Sequence, residues 1–213
     1  MASKQSDSFS VLRFDELSVT PNRADEIAAS ARASGTAGYD SQLFGVWIPL
    51  IGVSVNTVTI ATNWKGEPPT SAIAAPSSNG IVQTRTRLFD KLARGQTACD
   101  PAKGGIYTHR WFVVRPNDVD HLTQSSADAW KYSEADTAMR VAGFWRSRDT
   151  SADDTATILM IVYYPDLTAW EASRYWKPKP PDADQPNRQV WGEMFRKRRD
   201  ILLNSWVTVH RLV

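Results

Sequence analysis

The sequence predicts an α+β fold: two tandem ferredoxin-like β-α-β-β-α-β repeats forming a pseudo-dimeric α/β barrel within one chain of 213 residues. Three observations predict it. A strand that stops at a Pro-Asn pair and enters a helix occurs twice, at Val19-Thr20-Pro21-Asn22 and Val114-Arg115-Pro116-Asn117, an offset of 95. Gly45-Val46-Trp47 is echoed by Gly143-Phe144-Trp145 at an offset of 98, and Thr84-x-x-Arg87-Leu88 by Thr208-x-x-Arg211-Leu212 at 124. Three echoes in one order argue for internal duplication, and the growing offset marks insertions in the second copy. One β-α-β-β-α-β sheet covers a single face with its helices and leaves the other bare. Two copies can press their bare faces together and enclose a lumen.

The first repeat covers 9–94. A strand over 9–19 leads to an Ala-rich helix over 22–33, which ends at Gly35–Gly38. Strands over 42–49 and 54–64 form a hairpin around Gly52, and Pro, Ser and Ala after Glu67 leave room for a short helix over 70–75. Alternating Thr and Arg over 81–88 suit an edge strand, with a helical turn over 89–94. Residues 95–104 read as a linker.

The second repeat covers 105–213. A strand over 106–114 is rich in aromatic and β-branched residues. Pro116 ends it, because proline has no N–H to give a ladder. Asn117 suits an N-cap, Asp118 and Asp120 favour the first turn, and Val119, Leu122, Ser126 and Trp130 mark one face of a helix over 118–136. Strands over 139–146 and 156–164 follow, then a helix over 169–175 capped by Asp166 or Thr168. Four prolines forbid a helix over 177–187. A helix over 188–204 and a strand over 206–213 close the chain.

Composition bounds the function. A net charge of +2 does not imply nucleic acid or an anionic membrane, and one cysteine, Cys99, cannot form an intrachain disulfide. The polar start at residues 1–8 lacks a signal pattern, and the apolar window over 43–60 is broken by Gly45, Pro49, Gly52 and Asn56. A cytoplasmic protein with no membrane span is therefore expected. Nine tryptophans are many for this length. They serve either as packing anchors or as the walls of a lumen that takes a hydrophobic or aromatic small molecule.

The segment Tyr107-x-x-Arg110-x-Phe112-x-x-x-Pro116-Asn117 resembles the opening motif of the NIPSNAP family. The resemblance covers 105–213, and reaches 9–89 through the internal repeat. It implies the dimeric α/β-barrel superfamily, whose members pair ferredoxin-like units and include cofactor-independent monooxygenases, polyketide cyclases and haem proteins such as chlorite dismutases. The sequence departs from the family motif in two ways. Arg110 is matched by Asp15 in the first copy, and the family's Gly after Pro is Asn in both.

The candidate catalytic residues are His109 and Arg110, as a base and an anion anchor. The bland alternatives are a hydrogen-bonded strand histidine and an ion pair from Arg110 to Asp15 or Glu16. Tyr107, Trp111, Trp145 and Trp47 are the candidate ligand-binding residues. Alternation sends His109 and Trp111 to one face and Arg110 and Phe112 to the other, without saying which face is inside. His121 reads as a solvent-facing residue in a first helical turn, and His210 has no partner at a recognisable spacing. No metal-ligand spacing exists, so no metal and no cofactor are expected. Arg196–Arg199 reads as a solvated helix face rather than a nucleic-acid patch. The expected function is a NIPSNAP-like protein that binds an aromatic small molecule and can form a homodimer. The alternative is a cofactor-independent monooxygenase or polyketide-cyclase type of enzyme.

Overall fold

The computed structural model describes residues 8–35, 37–38, 40–69, 79–149 and 153–213. The expected short helix over 70–75, and all but the last residue of the N-terminal tail, lie outside them. The elements in order are β1 (Val11–Val19), α1 (Ala24–Ala33), β2 (Ala37–Gly38), β3 (Ser41–Ile51), β4 (Thr57–Trp64), β5 (Ile81–Arg94), β6 (Ile106–Val114), α2 (Val119–Asp136), β7 (Arg140–Ser147), β8 (Ala156–Tyr164), α3 (Leu167–Ala172), α4 (Arg188–Arg199) and β9 (Asn204–Leu212).

All nine strands form one antiparallel sheet in the order β2-β3-β4-β1-β5-β7-β8-β6-β9, and β9 pairs back onto β3. The sheet is thus a closed barrel, which leaves no long unpaired edge. Its lumen is lined by Leu12, Phe14, Phe44, Trp47, Phe89, Tyr107, Trp111, Trp145, Leu159 and Ile161. Outside the sheet, α1 covers Leu17, Val46, Ile48 and Val58 through Ile27, Ala28 and Ala31. On the other side α2 and α4 cover Phe112, Val114, Phe144, Ile158 and Met160.

The registers of the two halves correspond. Val11 faces Trp64 across β1–β4, and Ile106 faces Tyr164 across β6–β8. One bulge interrupts β3–β4 between Leu43 and Gly45, and one interrupts β7–β8 between Val141 and Gly143. Where the halves join, Trp47 faces Leu212 and Trp145 faces Lys91. Each bulge reverses the alternation of its strand, so that Phe44 and Trp47 both point inward. Both glycines have a physical reason. A Cβ on Gly45 would lie 2.4 Å from the Trp47 ring, and one on Gly143 1.9 Å from the Trp145 ring. Each indole lies against the glycine two residues before it.

The third echo is out of register. Leu17 faces Thr84 in the first half, and its counterpart Phe112 faces Ser205 in the second, so Thr84 corresponds to Ser205 rather than Thr208. An odd shift of this kind would also exchange the faces of the strand.

Other elements differ from the sequence reading. Residues 81–94 are one strand, not an edge strand and a helical turn: its start pairs with β1 and its end with β7. Asn117 does not cap α2; Pro116–Asp118 form a 3-10 turn, and the helix starts at Val119 with no side-chain cap. Asp166 does cap α3, accepting from the Ala169 N–H at 2.7 Å. Helix α4 ends at Arg199 rather than at 204, and Leu203 N–H donates to the Val113 carbonyl just before the last strand. Arg198 is not part of a solvated face: it is 8% exposed and donates to Ser126 Oγ at 3.3 Å.

Candidate active site at one mouth of the barrel

The alternation on β6 is resolved by the lumen. Tyr107, His109 and Trp111 point inward, and Arg110 points outward with Phe112 beneath the helices. On β9, which pairs with β6, Trp206, Thr208 and His210 point the same way as His109. His109 faces Thr208 in the ladder, which places His210 on the diagonal. The two imidazoles stack with centroids 3.9 Å apart. His210 Nε2 shares a 2.7 Å hydrogen bond with Thr208 Oγ1. His109 Nε2 and His210 Nδ1 are buried without a hydrogen-bond partner.

Aromatic rings surround this pair. Trp47 and Phe14 pack edge-on to His109 at 5.0 and 5.7 Å. Burial pushes the His109 pKa well down, and the neighbouring His210 and Arg87 push the same way. Burial also lowers His210, to about 4. Both rings are therefore neutral at pH 7.

The pair forms the floor of a cavity of about 180 Å³ at one mouth of the lumen, also lined by Glu16, Arg87, Trp111, Trp206 and Thr59. Arg87 lies 4.3 Å from the Trp111 ring centroid and bonds Glu16 at 2.6 Å. Trp206 is half exposed and stacks on Trp111 with ring planes 11° apart. A flat aromatic molecule entering here meets an indole and a cation, with the buried imidazole pair among the lining residues.

A second cavity, of about 420 Å³, opens at the other end of the inward face of β6, between Tyr107, Tyr163, Cys99, Lys103 and Arg140. It is the larger, but its chemistry is weaker. Burial raises the Cys99 thiol to about 12 and raises the Tyr107 phenol, so both stay protonated and unreactive.

The other sequence candidates fall elsewhere. Trp47 and Trp145 are 0% and 1% exposed and pack among the side chains of the lumen, away from the lining of the His109 cavity. Of the nine tryptophans only Trp47, Trp111, Trp145 and, at the rim, Trp206 belong to the lumen; Trp130 and Trp191 pack beneath the helices. Arg110 neither enters the lumen nor pairs with Asp15 or Glu16. It bonds Tyr164 Oη at 3.0 Å and Thr108 Oγ1 at 3.3 Å, while Asp15 is held by Arg13 and Thr86, and Glu16 by Arg87. His121 is exposed in the first turn of α2. His210, without a motif in the sequence, belongs to the site; the signal was the alternation Trp206-x-Thr208-x-His210 on the last strand.

No protein-family model matches the sequence, and no curated protein matches it by sequence. Solved structures do resemble it. An anthrone oxidase-like protein matches with a TM-score of 0.64 at 13% identity, covering 98% of this chain and 93% of that one. A ferredoxin-fold protein from Listeria monocytogenes 4b F2365, described as related to antibiotic biosynthesis monooxygenases, matches with 0.51 at 8% identity, covering 99% of each chain. A chlorite dismutase from Candidatus Nitrospira defluvii matches with 0.56 at 7% identity, covering 98% of this chain and 92% of that one. At these identities the likeness establishes the fold. The chain has the ferredoxin-like fold of the dimeric α/β-barrel proteins. The finer NIPSNAP resemblance finds no support among these structures. No described helix is long and apolar enough to cross a membrane.

Proposed function

We propose that the protein is an enzyme of the cofactor-independent monooxygenase type, acting on an aromatic or polyketide-like small molecule seated at the His109 mouth. One observation carries this reading: a neutral imidazole with an unpartnered Nε2 sits among aromatic rings at the floor of an open cavity. A phenol or an acidic ring C–H placed against Nε2 could give up its proton there. Arg87, lining the same cavity, would face the anion formed, and Trp206 and Trp111 would stack on the ring. Dioxygen is the oxidant such a reaction needs; the protein's part is to hold and deprotonate the ring. The anthrone oxidase-like neighbour supports this substrate class.

The binding-only, NIPSNAP-like reading is favoured by one fact. His109 is held so far below the usual imidazole range that it is a weak base. Turnover separates the two readings.

The proposed architecture is a tandem repeat of residues 9–94 and 105–213 joined by 95–104, supported by the matching registers, bulges and Gly-x-Trp stacks. One chain then supplies both sheets of the barrel, and any homodimer forms outside it.

A titration tests the site. Anthrone added to the full chain should quench tryptophan emission saturably, and Trp206→Ala together with His109→Gln should weaken binding by about tenfold, roughly 1.4 kcal/mol. Quenching that never saturates, or is unchanged in the variants, would count against it.

A further inference from the structure

We propose that a second site, outside the barrel, binds a small oxyanion between Arg110, Arg174 and Arg198. The three side chains line a cavity of about 40 Å³ beneath α4, together with Tyr164, Tyr175 and Trp176. That is room for one small anion or a few waters.

The charge census singles it out. Among the described residues no carboxylate forms an ion pair with Arg110 or Arg198. Arg174 has one long ion pair, its Nε 4.0 Å from Glu171, and Glu171 is shared with Lys177, which bonds it more closely. Arg199 adds a fourth cation over Tyr175 and Trp176. The cations also act on one another: Arg198 is lowered to about 10, first by burial and then by Arg110, and Arg174 is lowered by the same two causes.

Unused donors are the second observation. Arg198 is 8% exposed, and its Nε has no partner; Arg174 Nε and Tyr175 Oη are also buried and unpartnered. Aromatic faces offset part of the charge, with Arg198 4.6 Å from the Phe195 centroid and Arg174 4.0 Å from that of Trp170. A ring face leaves these in-plane N–H groups without an acceptor. An oxyanion would satisfy both the charge and the donors, and planar guanidinium forks suit its oxygens. Phosphate and carboxylate share this chemistry, and the anion can arrive free or on an organic molecule that lies against the half-exposed Trp176.

Thermal unfolding of the full chain at constant ionic strength tests this. Sodium phosphate in place of chloride should raise Tm by about 3 °C, the scale expected at a concentration near ten times Kd. Arg110→Gln and Arg174→Gln should each remove that increment without lowering Tm in chloride, and His109→Gln should keep it. If a variant does not fold, phosphorus NMR of phosphate with the wild-type chain decides instead, by line broadening that phenyl phosphate displaces. Tighter binding of phenyl phosphate than of phosphate points to an anion carried on an organic molecule, and equal binding to the free ion. No increment over chloride, an equal increment in both variants, or no line broadening would overturn the proposal.

Discussion

His109 and His210, 101 residues apart in the chain, stack with ring planes 21° apart inside the mouth of the barrel. Both are buried, and burial lowers both pKa values below that of the unfolded chain. Below about pH 6.5 the unfolded chain therefore takes up protons that the folded one refuses. Stability is full above that pH and falls as the pH drops towards 4, by roughly 3 kcal/mol for His210 alone. Urea unfolding at pH 7.5 and pH 5 should show the loss, and His210→Gln should reduce it. An equal loss in the variant would contradict the assignment, because the carboxylates would then account for all of it.

The Gly143–Trp145 stack predicts a specific intolerance. In Gly143→Ala the new methyl would sit inside the Trp145 ring, which Gly95 covers on another side. The ring must leave its place or the bulge must open, at a cost of about 1–3 kcal/mol. Gly66 serves as the control: a methyl added there would meet nothing within 4 Å, and Gly66→Ala should change little. Denaturant midpoints of the two variants check this.

Asp15 and Arg110 occupy corresponding positions on β1 and β6 but differ in what removing them leaves behind. Asp15→Ala breaks the buried bonds that its carboxylate accepts from Arg13 and Thr86, and should cost about 1.5–3 kcal/mol. Arg110→Ala strands no acid and relieves repulsion with Arg174 and Arg198, so stability should hold or rise. Equal destabilisation by both changes would contradict this account of the two clusters.

Much of the architecture was legible, because the signals were local. Pro21 and Pro116 end strands in any context, and β-branched runs mark β6 and β8 where they are found. The site was less legible, because it depends on parity. Nothing local says which face of residues 106–114 meets a lumen. The bulges at Phe44 and Ala142 reverse the alternation of β3 and β7, which a regular period cannot anticipate. Arg110 reads as an anion anchor only if its face is the inner one, and it lies one residue away from the inward face. Arg198 reads as solvated from its basic neighbours, yet α4 turns it beneath the helix layer. His210 carries no motif, and only the pairing of β6 with β9 brings it to His109.

The His109 mouth is the proposed seat of the chemistry. Dioxygen uptake with anthrone, in air-saturated buffer at neutral pH, tests it most directly, comparing wild type with His109→Gln and with Tyr107→Phe from the other cavity. Uptake above the uncatalysed rate is expected from wild type and from Tyr107→Phe, with a loss of about 100-fold or more in His109→Gln, the low end for a positioned base. Undiminished uptake in His109→Gln, or loss in Tyr107→Phe alone, would contradict it.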